Sequence, residues 1–108
     1  MSPSPIGVFD SGIGGLSVLR ALVQEMPDQH FIYLADSGYA PYGERGDDYV
    51  VARTRACAQW LMERGCKMIV LACNTATAAA IGTLRAEFPH IQWVGIEPAD
   101  DAPFVGIE

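Results

Sequence analysis

Chemistry in this sequence is concentrated at a few short segments. Cys73 is followed at once by Asn74 and Thr75, with Thr77 close behind, so a thiol is surrounded by hydrogen-bonding groups. A thiolate there serves as a nucleophile or a base. Asp10 and Ser11 open a glycine-rich turn that runs from Gly12 to Gly15. Such a turn, leading into a helix, presents backbone N–H groups to an anion. Asp36 and Ser37 begin a loop that contains Pro41, Tyr42 and Gly43, a phenol and open backbone placed to close over a small ligand. Against this stands the plainer view that Pro41 and Gly43 only shape turns. Gly12, Gly14 and Ser17 also fit loosely to a dinucleotide-binding turn, with Asp36 as the ribose acid. Ser at position 17 and the negative charge of Asp10 count against that reading. A tight turn with a purely structural role is the other alternative, and Asp10 as a functional acid or orienting group is favoured.

These segments are ordered by a repeating pattern. Ile6–Phe9, Phe31–Ala35, Met68–Ala72 and Ile91–Ile96 are short apolar runs that read as strands. Between them lie three helical stretches. Leu16, Leu19, Leu22, Val23 and Met26 recur at helical spacing before Pro27. Asp47 is placed to cap a second helix running to about Arg64, with Gly65 as its stop. Asn74 or Thr75 opens a third, alanine-rich helix that ends before Pro89. The order β-α-β-α-β-α-β predicts a three-layer α/β/α domain with a four-stranded parallel sheet. Ligands of open parallel sheets bind outside the carboxyl ends of the strands. Those ends carry Asp10-Ser11, Asp36-Ser37, Cys73-Asn74-Thr75 and Glu97-Pro98. The helix beginning behind Cys73 favours its thiolate, and the reading requires that side chain to be open to a ligand.

The remaining candidates are weaker. Cys57 lies mid-helix among Ala56, Trp60 and Leu61 and reads as core. Cys66 starts the strand that Cys73 ends, about 23 Å away. The three cysteines form no Cys-x-x-Cys pair, so neither a zinc site nor a disulfide framework is suggested. His30 and His90 precede strands and fall at the opposite edge. The Val94-Gly-Ile-Glu97 tetrapeptide recurs at Val105–Glu108, weak grounds for a repeat.

Composition excludes several classes. Half of the 108 residues are hydrophobic and 19% are charged, which excludes a disordered chain. Net charge is −6, from 7 Lys and Arg against 13 Asp and Glu, with no basic stripe for nucleic acid. The longest apolar run, Met68–Cys73, is too short to cross a bilayer. The opening Met-Ser-Pro-Ser-Pro does not read as a signal peptide, which points to the cytoplasm.

Phe9-Asp-Ser-Gly-Ile-Gly-Gly15, Asp36-Ser-x-x-x-Pro-Tyr-Gly43 and Ala72-Cys-Asn-Thr-Ala-Thr77 together resemble glutamate racemase, of the aspartate/glutamate racemase superfamily. The resemblance implies two similar α/β domains with the site in the cleft between them. It implies interconversion of L- and D-glutamate, supplying D-glutamate for peptidoglycan, without pyridoxal phosphate, metal or nucleotide. Two cysteines would flank the substrate α-carbon, one removing the α-proton and the other returning a proton to the opposite face. By motif, Cys73 matches the first of these. Asp10, Ser11, Tyr42, Gly43, Asn74 and Thr75 match substrate-holding positions, and Asp10 is also matched to proton transfer.

The resemblance implies three segments: a flexible N-terminus at 1–5, a first racemase domain at 6–98, and the start of a second domain at 99–108. The second cysteine of the family, followed by Thr and His, has no counterpart in this chain. The expectation is therefore that these 108 residues alone do not racemise, and that the uncovered sheet edge and interdomain surface promote self-association. Aspartate racemase is the nearest alternative. A catalytically inactive α/β fragment binding small dicarboxylates is another, and a nucleotide-binding half-domain a third.

Overall fold

Strand β1 (Ile6–Asp10) is apolar at four of its five positions and buried along its whole length, as a strand covered on both faces must be. The computed structural model describes residues 4–12, 15–39, 45–98 and 105–107. After β1 come α1 (Gly15–Glu25), β2 (Phe31–Ala35), a 3-10 turn at Ser37–Tyr39, α2 (Asp47–Glu63), β3 (Met68–Leu71), α3 (Asn74–Glu87), β4 (Gln92–Pro98) and β5 (Val105–Ile107). The sheet order is β2-β1-β3-β4-β5. The first four strands are parallel, as the alternating pattern predicts. The fifth runs antiparallel to β4, with Ile96 opposite Ile107 and Pro98 opposite Val105. The two Val-Gly-Ile segments thus become neighbouring strands.

Two apolar clusters divide the core by sheet face. Val8, Val18, Val70 and Ile96 pack under α1, whereas Phe9, Leu61, Ile69, Leu71 and Leu84 pack under α2 and α3. Alternation along β1 produces this division: Val8 and Phe9 are adjacent yet lie in different clusters. The resulting three layers match the predicted architecture.

Some local expectations change. Asp47 is not the cap of α2. Gly46 occupies that position in extended backbone and Asp47 is the first helical residue, where its charge suits the helix N-terminus without capping it. Gly65 does end the segment, at φ +91°. On α1 Val18 is buried and Leu19 and Leu22 are half-buried, while Leu16, Val23 and, just past the helix, Met26 are exposed. Within its cluster Val18 of α1 meets Ile6 and Val8 of β1, Val70 of β3 and Ile96 of β4.

Gly95 marks where α3 lies closest to β4. A Cβ there would stand 2.5 Å from Thr77 Cγ2 and 2.6 Å from Ile81 Cδ1. Gly95→Ala is expected to cost about 1–3 kcal/mol by overpacking. Thermal unfolding should show a Tm lower by at least about 5 °C; an unchanged Tm would contradict this packing.

Candidate functional site

The strand order has one topological switch point. From β1 the chain moves outward to β2, then crosses back over β1 to β3, so the switch point, where such sheets bind ligands, lies at the carboxyl ends of β1 and β3. Asp10 is the last residue of β1, and Ser11 follows it. On the neighbouring strand Phe9 pairs with Leu71, and the Ala72 N–H donates to the Phe9 carbonyl at 2.8 Å. Asp10 ends β1 and Ala72 follows β3, so Ser11 and Cys73, the next residue of each segment, leave the sheet at the same edge. Asn74 and Thr75 form the first turn of α3 directly behind. Five of the seven candidates thus converge here: Asp10, Ser11, Cys73, Asn74 and Thr75. The other two, Tyr42 and Gly43, lie outside the described residues.

Cys73 is the N-cap residue of α3, with extended backbone (φ −114°, ψ 121°). Its carbonyl accepts the Thr77 N–H at 2.9 Å. The Thr77 hydroxyl, buried, also donates to that carbonyl at 3.0 Å. Thr77 therefore fixes the start of α3 and is not one of the groups surrounding the thiol. The expectation of an open thiol is not met in full. Cys73 is buried, with 8% of its surface exposed, because it packs into the apolar cluster with Phe9 and Leu71. That is still more than Cys57 at 5% or Cys66 at 2%. Asn74 is exposed, Thr75 half-buried and Ser11 buried.

Asp10 is 1% exposed. Its Oδ2 accepts a hydrogen bond from the Tyr33 hydroxyl at 2.9 Å. Burial first, then the hydrogen bond and the charge of Asp10, push the Tyr33 phenol up to about 12. Gly12 is required for this corner to close. Its φ is +119°, and a Cβ on it would stand 2.9 Å from the Ser37 backbone, so the turn after β1 touches the turn after β2. This is a structural use of the glycine-rich turn.

Asp36, at the end of β2, is also buried but differently engaged. Arg53 on α2 grips it with two hydrogen bonds, Nε to Oδ2 at 2.9 Å and NH2 to Oδ1 at 2.8 Å. The same guanidinium lies 3.6 Å from the centre of the Tyr39 ring, and the Tyr49 hydroxyl donates to the Tyr39 carbonyl at 3.1 Å. A carboxylate held this way anchors the 3-10 turn and does not suit a ribose, which removes the main support for a nucleotide. A cleft of about 180 Å³ lies beside Asp36, between β2 and α2, lined by Leu34, Arg53, Cys57 and Trp60 among others. It is away from the β1–β3 switch point, and its acid and base already bind each other, so the strand ends remain the better site.

The other thiols behave as core. Burial, then the charge of Asp36, pushes Cys57 up to about 12 from its ordinary 9, and burial also raises Cys66. All three cysteines are unbridged. Tyr33 and Cys57 are both neutral acids that the fold holds in protonated form. Their contribution to stability is complete below about pH 9 and is lost as pH rises toward 12. Urea unfolding should therefore show a midpoint that drops between pH 8 and pH 11; an equal midpoint at both would contradict these environments.

Among the described residues, no set of three or more His, Cys, Asp or Glu could hold a metal ion, and no helix is long and apolar enough to cross a membrane. Tyr33, Arg53, Tyr39 and Tyr49 had no place in the sequence reading. Tyr33 is the one with a recoverable signal, since it alternates with Phe31 and Ala35 on the α1 side of β2.

No protein-family model matches the chain. Glutamate racemase of Cupriavidus pinatubonensis is 52% identical over 98 residues, which cover 91% of this chain and 36% of that protein. The same activity is named for a Roseiflexus relative, 52% identical over 97 residues, or 90% of this chain and 36% of the relative. This chain is similar to about a third of a glutamate racemase. Solved glutamate racemases agree in fold. The Thermus thermophilus enzyme, in complex with beta-chloro-D-alanine, superimposes with a TM-score of 0.80 at 41% identity, covering 85% of this chain and 36% of its own. The Escherichia coli enzyme, in complex with L-glutamate and an activator, gives 0.82 at 39% identity, covering 91% and 37%. The chain thus spans little more than a third of the glutamate racemases it matches.

Proposed function

We propose that this chain carries one side of a cofactor-independent glutamate racemase site, with Cys73 as the base that exchanges the α-proton of glutamate. The observation that carries this reading is the placement of Cys73 at the start of α3, beside Asp10 and Ser11 at the switch point of the sheet. Removing an α-proton next to a carboxylate builds negative charge on an already anionic substrate. Preorganised donors must meet that charge. Ser11, Asn74, Thr75 and the N–H groups of the first turn of α3 supply them. Asp10 orients the substrate ammonium or assists proton transfer, and Tyr42 and Gly43 complete the substrate contacts. Residues 6–98 then form the first racemase domain, and Val105–Ile107, which the sequence reading assigned to the start of a second, instead add β5 to its sheet. The reaction supplies D-glutamate for peptidoglycan and takes place in the cytoplasm.

One thiol reaches one face of the α-carbon, so the 108 residues exchange without inverting. In D2O, proton NMR is expected to show loss of the α-proton signal from one enantiomer of glutamate, with its configuration retained. Racemisation by these 108 residues would refute the one-base account. Exchange of aspartate in preference to glutamate would move the assignment to an aspartate racemase. Thermal stabilisation by glutamate with no exchange at all would leave only a dicarboxylate-binding fragment.

A further inference from the structure

We propose that Tyr33 is a positioning residue for this site, its hydroxyl holding the Asp10 carboxylate in place at the carboxyl end of β1. The inference rests on the glutamate racemase reading above.

The geometry follows from strand register. Val8 lies opposite Tyr33, and Asp10 lies opposite Ala35. Val8, Asp10 and Tyr33 fall on the α1 side of the sheet by alternation. Asp10 is thus the diagonal neighbour of Tyr33, two residues farther along, an advance of about 6.6 Å. A tyrosine ring bridges that span, and its hydroxyl reaches Asp10 Oδ2 at 2.9 Å. The ring packs against the cluster formed by Ile6, Val8 and Val18, so the phenol is held on a rigid strand. A phenylalanine would fill the same apolar space, and the hydroxyl is the part of the Tyr33 side chain that it would remove from the carboxylate. Asp10 is 1% exposed, so a donor fixed by the sheet sets its orientation where solvent barely reaches. A carboxylate that loses this hydrogen bond is held less firmly, and small misplacements cost large factors in rate.

Two measurements on the 108-residue chain test the assignment. The first is ultraviolet titration of tyrosinate. The unmodified chain should show the Tyr33 step near 12. That step should vanish in Tyr33→Phe and move down toward the ordinary 10 in Asp10→Asn. A high-pH step unmoved in Asp10→Asn would show that the contact is absent and overturn the proposal. The second is α-proton exchange in D2O at saturating glutamate. Tyr33→Phe is expected to lower the rate about tenfold or more with glutamate affinity unchanged. Full-rate exchange by Tyr33→Phe would overturn the positioning role while leaving the racemase reading intact. Absence of exchange in the unmodified chain would instead sink the racemase reading, and this inference with it, whatever the titration shows.

Discussion

Replacing Arg53 by Met is expected to destabilise the fold by about 3 kcal/mol, the cost of taking a charged partner from a buried carboxylate. Asp36 is 8% exposed and loses two hydrogen bonds at once, while Arg53 itself is 26% exposed. The partial exposure of Arg53 keeps the loss from being larger. The Tyr39 ring also loses its stacked cation, so the 3-10 turn after β2 loosens with it. Thermal unfolding should show a drop of about 10 °C or more. Arg53→Lys should recover only part, because an ammonium cannot reproduce the two-pronged grip or the planar stacking. A Tm for Arg53→Met indistinguishable from that of the unmodified chain would show that the pair contributes nothing.

The second large effect concerns Asp10. Asp10→Asn keeps the size of the side chain and an oxygen that accepts the Tyr33 hydroxyl, but it removes the charge. α-Proton exchange is expected to fall about 100-fold, in the range that positioned acid–base groups contribute. Stability should change much less, since the substitution leaves no new cavity. An exchange rate equal to that of the unmodified chain would confine Asp10 to a structural role.

The shared edge of the candidate residues was legible because parallel-sheet topology converts sequence position into spatial position. Asp10 and Cys73 are 63 residues apart, by their numbers, yet each directly follows an apolar run, and both runs belong to one sheet. Order along the chain and the rule for ligand sites in such sheets were enough to bring them to one edge. The partners of the buried carboxylates were not legible. Tyr33 reaches Asp10 across 23 residues and Arg53 reaches Asp36 across 17. Such pairs depend on strand register and on the rotation of α2, neither of which leaves a local pattern. Thr77 departs from its expected place for a related reason. As a polar residue behind Cys73 it looks like part of the site, but within a helix its hydroxyl turns back to the carbonyl four residues earlier. The burial of Cys73 was missed because the same small thiol that could face a ligand also fills the core beside Phe9 and Leu71.

In the proposed reaction the sulfur of Cys73 takes the α-proton of glutamate. This step is tested most directly by comparing Cys73→Ala, Cys57→Ala and Cys66→Ala for deuterium incorporation at the α-carbon in D2O. Cys73→Ala should fall about a thousandfold, to the uncatalysed background, while the other two variants retain exchange. Undiminished exchange by Cys73→Ala would contradict the account.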